Sequence, residues 1–398
     1  MSSVYYALIT VGVLVSASKI LGVAFERVGV NHIVGEMLGG MVMGPYALGY
    51  ILNNALRGVV GFDLININNY VVAISDIALI FLIFSSGVGE GFAPMRRSGG
   101  KGLVVAVGGA AVPFAAAYYY YYYVARYDVK AAMLLGATFM ATSTAVVVKM
   151  LDRMGNRDAR ELVYNAVVLD DVVGIISLAV VLTLATAARV TIRTAIETAA
   201  GLIAVWGLML VLSLLIIPRA MNALKRPELI ESSSLAAAFA MSGISVMVGL
   251  SPVVGAYLAG ISVGESLIRE RAKAFSQTIE ESLGPLFFAV LGAQIPLANF
   301  LNPGVDLGVI TVTAIAIATK ALGAMIFSLP FTRKIKDSAA IGAMMIPRGE
   351  VGLVIAATGF DMGVITPQLY TEVTMMIMLT TLLGPLLVWN GSRNGSRD

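Results

Sequence analysis

The chain has 398 residues, of which 58% are hydrophobic and 13% are charged, and its net charge is +3. Soluble globular domains carry about 25% charged residues, so the composition excludes an ordinary soluble domain. Cysteine is absent and His32 is the single histidine. A disulfide framework, a thiol-ligated metal and a histidine cluster for zinc are therefore excluded as well.

The apolar stretches are continuous and about 20 residues long, the length of a membrane-spanning helix. They do not alternate as the strands of a membrane barrel do. The first of them, Val4–Val23, has no basic region before it, so we expect a span rather than a signal peptide. We predict an all-α polytopic membrane protein with 13 spans, near residues 4–24, 32–51, 71–92, 102–124, 130–151, 161–187, 195–217, 230–248, 251–266, 276–294, 307–329, 337–359 and 370–390.

Basic residues concentrate in every second loop between these spans. One set of loops, together with the C-terminal tail, holds 18 lysines and arginines, and the opposite set holds five. The positive-inside rule then predicts a cell-membrane protein with its N-terminus outside and its C-terminus inside. The tyrosine run Tyr118–Tyr123 falls at the outer end of the fourth span, where we expect an interfacial anchor.

An internal repeat links the second and ninth spans. Val34–Gly44 aligns without gaps with Val254–Gly264, and three glycines return at equivalent positions. Because the two stretches lie seven spans apart, they cross the membrane in opposite directions. Inverted repeats of this kind are typical of secondary transporters, whose binding sites lie near the midplane. A helix-packing seam of small residues is the alternative interpretation.

Two adjacent carboxylates, Asp170 and Asp171, lie in the sixth span about nine residues from its start, or about 14 Å at the helical rise. Ionisable groups at this depth cost several kcal/mol, so they indicate function. A hard monovalent cation prefers oxygen ligands, and burial together with like-charge repulsion favours the protonated carboxyl group. One carboxylate can therefore hold either a proton or a cation, which is what an exchanger requires.

Lys320 lies in the middle of the eleventh span. A buried lysine without a counter-ion tends to lose its proton, so we expect an aspartate of the pair opposite it. The residues alone leave open which aspartate that is.

Two further spans look discontinuous. The fifth contains Thr142, Ser143 and Thr144, whose hydroxyl and carbonyl oxygens could line an opened helix. The twelfth contains Pro347-Arg348-Gly349-Glu350, in which the charged Arg348 and Glu350 alternate with a proline and a glycine that disfavour a continuous helix. Broken helices at membrane depth are tolerated only where the freed backbone is buried or lines a cavity, and in transporters their ends offset charge at the ion site.

These residues resemble a known family. The stretch Val34–Pro45, the Thr-Ser-Thr of residues 142–144, Asp170-Asp171, Lys320 and the motif of residues 347–350 are similar to the monovalent cation:proton antiporter-2 family, and most similar to its NapA-type sodium/proton antiporters. The resemblance covers essentially the whole chain. One departure is Gly87-Val88-Gly89-Glu90, where the family often has Gly-Leu-Glu, which leaves the role of Glu90 open.

The resemblance implies a NhaA/NapA-like antiporter fold, with inverted repeats, crossed discontinuous helices and a single transmembrane transporter unit over 1–398. It also implies a homodimer whose core moves like an elevator against a dimerisation domain. The implied divisions are a first repeat (1–190), a linker helix (191–228), a second repeat (229–398), a core (about 100–190 and 305–392) and a dimerisation subdomain (about 1–95 and 229–296).

The site roles implied by the resemblance are specific. Asp171 is implied as the carboxylate for Na⁺ and H⁺, with Asp170 beside it as a further ligand and Thr142, Ser143 and Thr144 around them. Asp170 with Lys320 is implied as the ion pair of electrogenic exchange. From the charges in the sequence itself, we expect Arg348 and Glu350 to balance charge in the broken twelfth span.

We therefore expect Na⁺ (or Li⁺)/H⁺ antiport in a lipid bilayer, with no enzymatic activity, no cofactor other than the transported ions and no nucleic-acid partner. K⁺/H⁺ exchange on the same scaffold is the nearest alternative, because both cations suit oxygen ligands. A gated cation channel is a further alternative that the inverted repeat and the titratable pair disfavour.

Overall fold

The protein is described by a computed structural model. It covers residues 3–28, 30–60, 62–92, 99–151, 154, 156–186, 192–224, 228–296 and 303–394. Seven of the basic residues counted in the loops lie outside these ranges: Arg96, Arg97, Arg153, Arg189, Lys225, Arg226 and Arg397.

The described residues form α-helices, one π-helical turn and no β-strand. The helices are α1 Ser3–Arg27, α2 His32–Met43, α3 Leu48–Val60, α4 Asn69–Glu90, α5 Gly99–Tyr119, α6 Val129–Thr138, α7 Thr144–Met150, α8 Arg157–Thr186, α9 Ile192–Asn222, α10 Glu228–Met247, α11 Pro252–Gly264, α12 Arg269–Ala293, α13 Pro303–Thr332, α14 Ile335–Met344, α15 Glu350–Asp361 and α16 Pro367–Asn394; the π-helical turn, Tyr120–Val124, follows α5.

The all-α prediction is confirmed. Among the described residues, seven helices are long and apolar enough to cross a membrane: α1, α4, α5 with its π-helical turn, α8, α9, α10 and α13. Three shorter apolar helices, α6, α11 and α15, have 10–17 residues. Each predicted span overlaps one helix or a pair of helices, whereas the number of 13 crossings stays a prediction.

The second predicted span is shorter than the sequence suggested. The prediction of a continuous span over 32–51 was wrong, because α2 ends at Met43 and the chain turns before α3 begins at Leu48. Pro45 lies in this turn, and proline disfavours a continuing helix at the residue before it. The helix α3 was missed because its apolar residues were assigned to the preceding span.

The described backbone divides into two compact units. The first comprises 1–92 and 204–301, and the second comprises 93–203 and 302–398. The predicted core ranges fall within the second unit and the predicted dimerisation ranges fall almost entirely within the first. The roles attached to those ranges remain predictions.

In the first unit, the glycine repeat corresponds to a repeated helix hairpin. A Cβ atom built on Gly35 of α2 would lie 2.5 Å from the carbonyl oxygen of Leu21 in α1. A Cβ atom on Gly255 of α11 would meet the carbonyl of Met241 in α10, and 14 residues separate the two partners in both cases. Helix α2 then packs on α12, while α11 packs on α4. The glycines are therefore needed for close helix contact in each hairpin.

In the second unit, two helices break where the sequence predicted. The fifth predicted span becomes α6 and α7, separated by residues 139–143, and the twelfth becomes α14 and α15, separated by residues 345–349. Helices α8 and α13, which carry the aspartate pair and Lys320, belong to the same unit.

Replacing Gly35 with alanine tests the hairpin packing. We expect Gly35→Ala to lower the free energy of unfolding by about 1–3 kcal/mol, the usual cost of overpacking. Gly12→Ala in α1 is the matched control, because a Cβ atom there meets nothing within 4 Å, so its melting temperature in detergent should stay level or rise. Equal melting temperatures for both variants would contradict the close contact.

Candidate functional site

The two helix breaks meet at their centres. The backbone N–H of Ser143 donates to the carbonyl oxygen of Pro347 at 2.9 Å. A Cβ atom on Gly349 would lie 2.8 Å from the Cα atom of Ser143, so glycine is needed there for the two chains to cross. The Thr142 hydroxyl lies 3.4 Å from the carbonyl oxygen of Met345, in the opposite break. The crossing brings the exposed backbone groups of both broken helices into one buried place.

The break after α6 presents backbone charge of both signs. The last carbonyl groups of a helix carry partial negative charge, and the first N–H groups of the next carry partial positive charge. Lys320 Nζ and Arg348 Nη1 both donate to the carbonyl oxygen of Met140, Arg348 at 3.4 Å. The N–H of Thr142 donates to Asp170 Oδ2 at 2.7 Å. Each side chain thus meets a backbone group of opposite sign.

Asp170 is paired with Lys320. Lys320 Nζ lies 2.9 Å from Asp170 Oδ1 and 3.0 Å from Oδ2, and both side chains are fully buried. The structure therefore places Lys320 against the aspartate that the resemblance named. With the Thr142 N–H added, the Asp170 carboxylate has a full positive charge and a backbone donor around it.

Asp171 lies in a different environment although it is the next residue. Its side chain is buried, and the Thr144 hydroxyl donates to Asp171 Oδ2 at 2.6 Å. Thr144 is the first residue of α7 and is only half-buried. The hydroxyl oxygen of Thr144 and the carboxylate oxygens of Asp171 together form an oxygen-rich position of the kind that a hard monovalent cation prefers.

Arg348 is fully buried and holds the second break in place. Its Nη2 donates to the carbonyl oxygen of Ala316 in α13 at 3.1 Å, in addition to the contact with Met140. The hydroxyl of Thr381 in α16 donates to the carbonyl oxygen of Arg348 at 2.7 Å. The arginine therefore covers carbonyl groups at two helices, and its charge-balancing role stays a prediction.

Two predicted site residues remain, Ser143 and Glu350. Ser143 is buried at the crossing, and its hydroxyl oxygen has no hydrogen-bond partner there. Glu350 begins α15, but its side chain lies outside the described part of the chain. The sequence missed two contributors, the carbonyl of Met140 and the hydroxyl of Thr381. A buried threonine in an apolar span was the available signal for Thr381; a backbone carbonyl gives none.

The chemistry of the site follows from the difference between the two aspartates. Asp170 is already neutralised by Lys320 and the Thr142 N–H, so it fixes the helix breaks in place. Asp171 accepts from the neutral Thr144 hydroxyl. A buried carboxylate needs a proton or a cation to offset its desolvation. The arrangement is suited to reversible, mutually exclusive occupancy at Asp171.

Comparison with known proteins places this site in a family. The family model described as "Sodium/hydrogen exchanger, transmembrane" matches residues 12–389. The chain belongs to the sodium/hydrogen exchanger family. It is therefore a transporter of the antiporter class and not an enzyme.

Individual relatives cover nearly the whole chain. The chain is 28% identical over 416 residues to the high-affinity Na⁺/H⁺ antiporter NhaS3 of Synechocystis, covering 95% of this chain and 89% of the relative. It is 26% identical over 383 residues to the Na⁺/H⁺-K⁺ antiporter GerN of Bacillus cereus, covering 94% and 93%. The structure of the sodium proton antiporter MjNhaP1 from Methanocaldococcus jannaschii superposes with a TM-score of 0.74 at 17% identity, covering 98% and 97% of the two chains. That likeness confirms the antiporter fold.

Removing Lys320 alone should destabilise the protein strongly. Lys320→Met leaves Asp170 buried without its counter-charge, and breaking a buried pair costs about 3–5 kcal/mol. The double variant Asp170→Asn/Lys320→Met removes both charges and should recover most of the loss. Thermal unfolding in detergent measures this, with the exposed Lys101→Met as control. A Lys320→Met protein as stable as Lys101→Met would contradict the pairing.

Proposed function

We propose that this chain exchanges Na⁺ or Li⁺ for H⁺ across the cell membrane, with Asp171 as the residue that holds each ion in turn. The observation that carries the proposal is the contrast between two neighbouring buried carboxylates. Asp170 is neutralised by Lys320, and Asp171 meets the hydroxyl of Thr144. We therefore assign the ion exchange to Asp171, whereas Asp170 forms the ion pair with Lys320.

Competition at one carboxylate couples the two ions. A proton on Asp171 removes the charge that attracts Na⁺, and bound Na⁺ removes the electron pairs that accept a proton. Thr142, Ser143 and Thr144 supply further oxygen ligands beside it. Because either occupant neutralises the site, the loaded carboxylate crosses the membrane more readily than the empty, ionised one.

We further propose that the exchange is electrogenic and proceeds by elevator-type alternating access. The unit that contains residues 93–203 and 302–398 holds both aspartates, Lys320 and Arg348, so it is suited to carry the ion as one body. An electrogenic cycle needs more than one proton per Na⁺, and the Asp170–Lys320 pair is the second titratable group available. The proposed dimer is supported by the resemblance alone.

The proposed orientation places the N-terminus outside and the C-terminus inside the plasma membrane. It rests on the distribution of 18 basic residues against five in alternating loops and on the positive-inside rule.

K⁺/H⁺ exchange is the second candidate function. It is favoured by the similarity to GerN, which is a Na⁺/H⁺-K⁺ antiporter. The oxygen ligands described at Asp171 suit both cations, so the distinction requires transport measurements.

Transport by the purified protein in liposomes tests the function. A pH gradient is imposed, an internal pH dye is followed, and Na⁺, Li⁺ and K⁺ are added in turn. We expect Na⁺ and Li⁺ to dissipate the gradient. Asp171→Asn should reduce the rate at least about 100-fold, because removing the exchanging group costs several kcal/mol of ion stabilisation.

The control is Asp306→Asn, an exposed carboxylate in the first turn of α13, which should transport as the unmodified protein does. Dissipation by K⁺ alone would replace the sodium assignment with the potassium one. Unchanged transport in Asp171→Asn would contradict the proposed mechanism.

A further inference from the structure

A third buried carboxylate, Glu372, lies in the second unit away from the aspartate pair. It is in the second turn of α16 and is 7% exposed. Thr381 of the same helix, which contacts Arg348, is nine residues further on, or about 14 Å along the axis at the helical rise. Glu372 therefore belongs to a different place in the unit from the crossing of the broken helices.

The carboxylate of Glu372 lies against the backbone of Gly308, in a notch that exists because glycine has no side chain. A Cβ atom built on Gly308 of α13 would lie 2.7 Å from Glu372 Oε1 and 2.8 Å from its Cδ atom. Any larger residue at position 308 would displace the carboxylate, so this close approach requires glycine. The Gln368 side chain, one turn earlier in α16, forms a hydrogen bond with Glu372.

Three tyrosines of the π-helical turn and the following loop lie within electrostatic range of the same carboxylate. Tyr120, Tyr121 and Tyr127 all interact electrostatically with Glu372. Their rings contact one another, with centroids 5.2 Å apart for Tyr120 and Tyr121 and 6.1 Å apart for Tyr121 and Tyr127. Tyr121 is completely buried, and none of the residues that the structure describes forms a hydrogen bond with its hydroxyl oxygen.

No cationic side chain in the described part of the chain offsets the charge of Glu372. Among the described residues, no lysine, arginine or histidine forms an ion pair with it. A buried, unpaired carboxylate is costly, and a bound cation removes that cost. The candidate ligands in this neighbourhood are the two carboxylate oxygens of Glu372, the amide oxygen of Gln368, whose N–H donates to Glu372, and the phenol oxygen of Tyr121, which is within electrostatic range. Such oxygens suit a hard cation, and tyrosine ring faces attract cations as well.

We propose that Glu372, Gln368 and Tyr121 form a second binding site for a monovalent cation, separate from Asp171. In the orientation proposed above, the Tyr120–Tyr127 segment, the start of α13 and the start of α16 lie at the outer end of the unit. The site would then hold the cation near the outer surface. This inference rests on the proposed function for the identity of the cation, Na⁺, and for the outward location of the site.

Equilibrium binding of ²²Na⁺ to the full-length protein in detergent tests the site. The measurement is made at alkaline pH with choline holding the ionic strength constant. We expect two sites per chain in the unmodified protein, one in Asp171→Asn, one in Glu372→Gln and none in the double variant. Asp306→Asn, two residues from the notch, should keep both sites.

A spectroscopic readout separates cation binding from a purely structural role. Na⁺ should perturb the tyrosine near-ultraviolet absorption of the Asp171→Asn protein, and the additional change Glu372→Gln or Gly308→Ala should abolish that perturbation. If Glu372→Gln binds as much Na⁺ as the unmodified protein, Glu372 merely holds a proton and the inference is overturned. If Asp171→Asn binds as much Na⁺ as the unmodified protein, the proposed function fails. The Glu372 site is then still tested by Na⁺ binding to Glu372→Gln.

Discussion

The second unit of the protein must hold two adjacent carboxylates, Asp170 and Asp171, in an apolar interior, and its other features depend on this constraint. Desolvation of a carboxylate costs several kcal/mol unless charge or hydrogen bonds replace water. Asp170 receives Lys320 and the Thr142 N–H, and that N–H is available only because the helix is interrupted between α6 and α7. The interruption in turn exposes the carbonyl of Met140, which Lys320 and Arg348 cover. The broken helices and the buried side chains of Lys320 and Arg348 thus both follow from the need to stabilise buried carboxylates.

The two repeats predicted from the sequence differ in the side chains that they contribute to the site. Each contains a glycine-packed hairpin in the first unit and a broken helix in the second. The aspartates come from the first repeat, on α8, whereas Lys320 and Arg348 come from the second, on α13 and in the break before α15. Because the charges of opposite sign lie on different repeats, their pairing joins the two repeats within the unit. The site therefore requires both repeats although the backbone pattern is common to them.

Much of this site could be predicted from the sequence because its signals are side chains that are costly in a membrane. Asp170, Asp171, Lys320 and the Pro347-Arg348-Gly349 run violate an otherwise apolar pattern, and the pattern located both helix breaks correctly. The sequence could not predict the early end of α2, because the apolar run continues past Pro45. It also could not predict the carbonyl of Met140, since every residue has that group and only the fold makes it accessible. The choice of Asp170 over Asp171 for Lys320 needed the family resemblance.

Proton release on Na⁺ binding shows directly whether one carboxylate, Asp171, holds Na⁺ and H⁺ in turn. The protein in weakly buffered detergent solution, at a pH where Asp171 is protonated, is mixed with Na⁺ while a pH dye is followed, and choline serves as the control salt. We expect Na⁺ to release protons from the unmodified protein and from Glu372→Gln, whereas the double variant Asp171→Asn/Glu372→Gln should release none. Saturable Na⁺ binding without proton release, or equal release from the unmodified protein and Asp171→Asn, would contradict this mechanism.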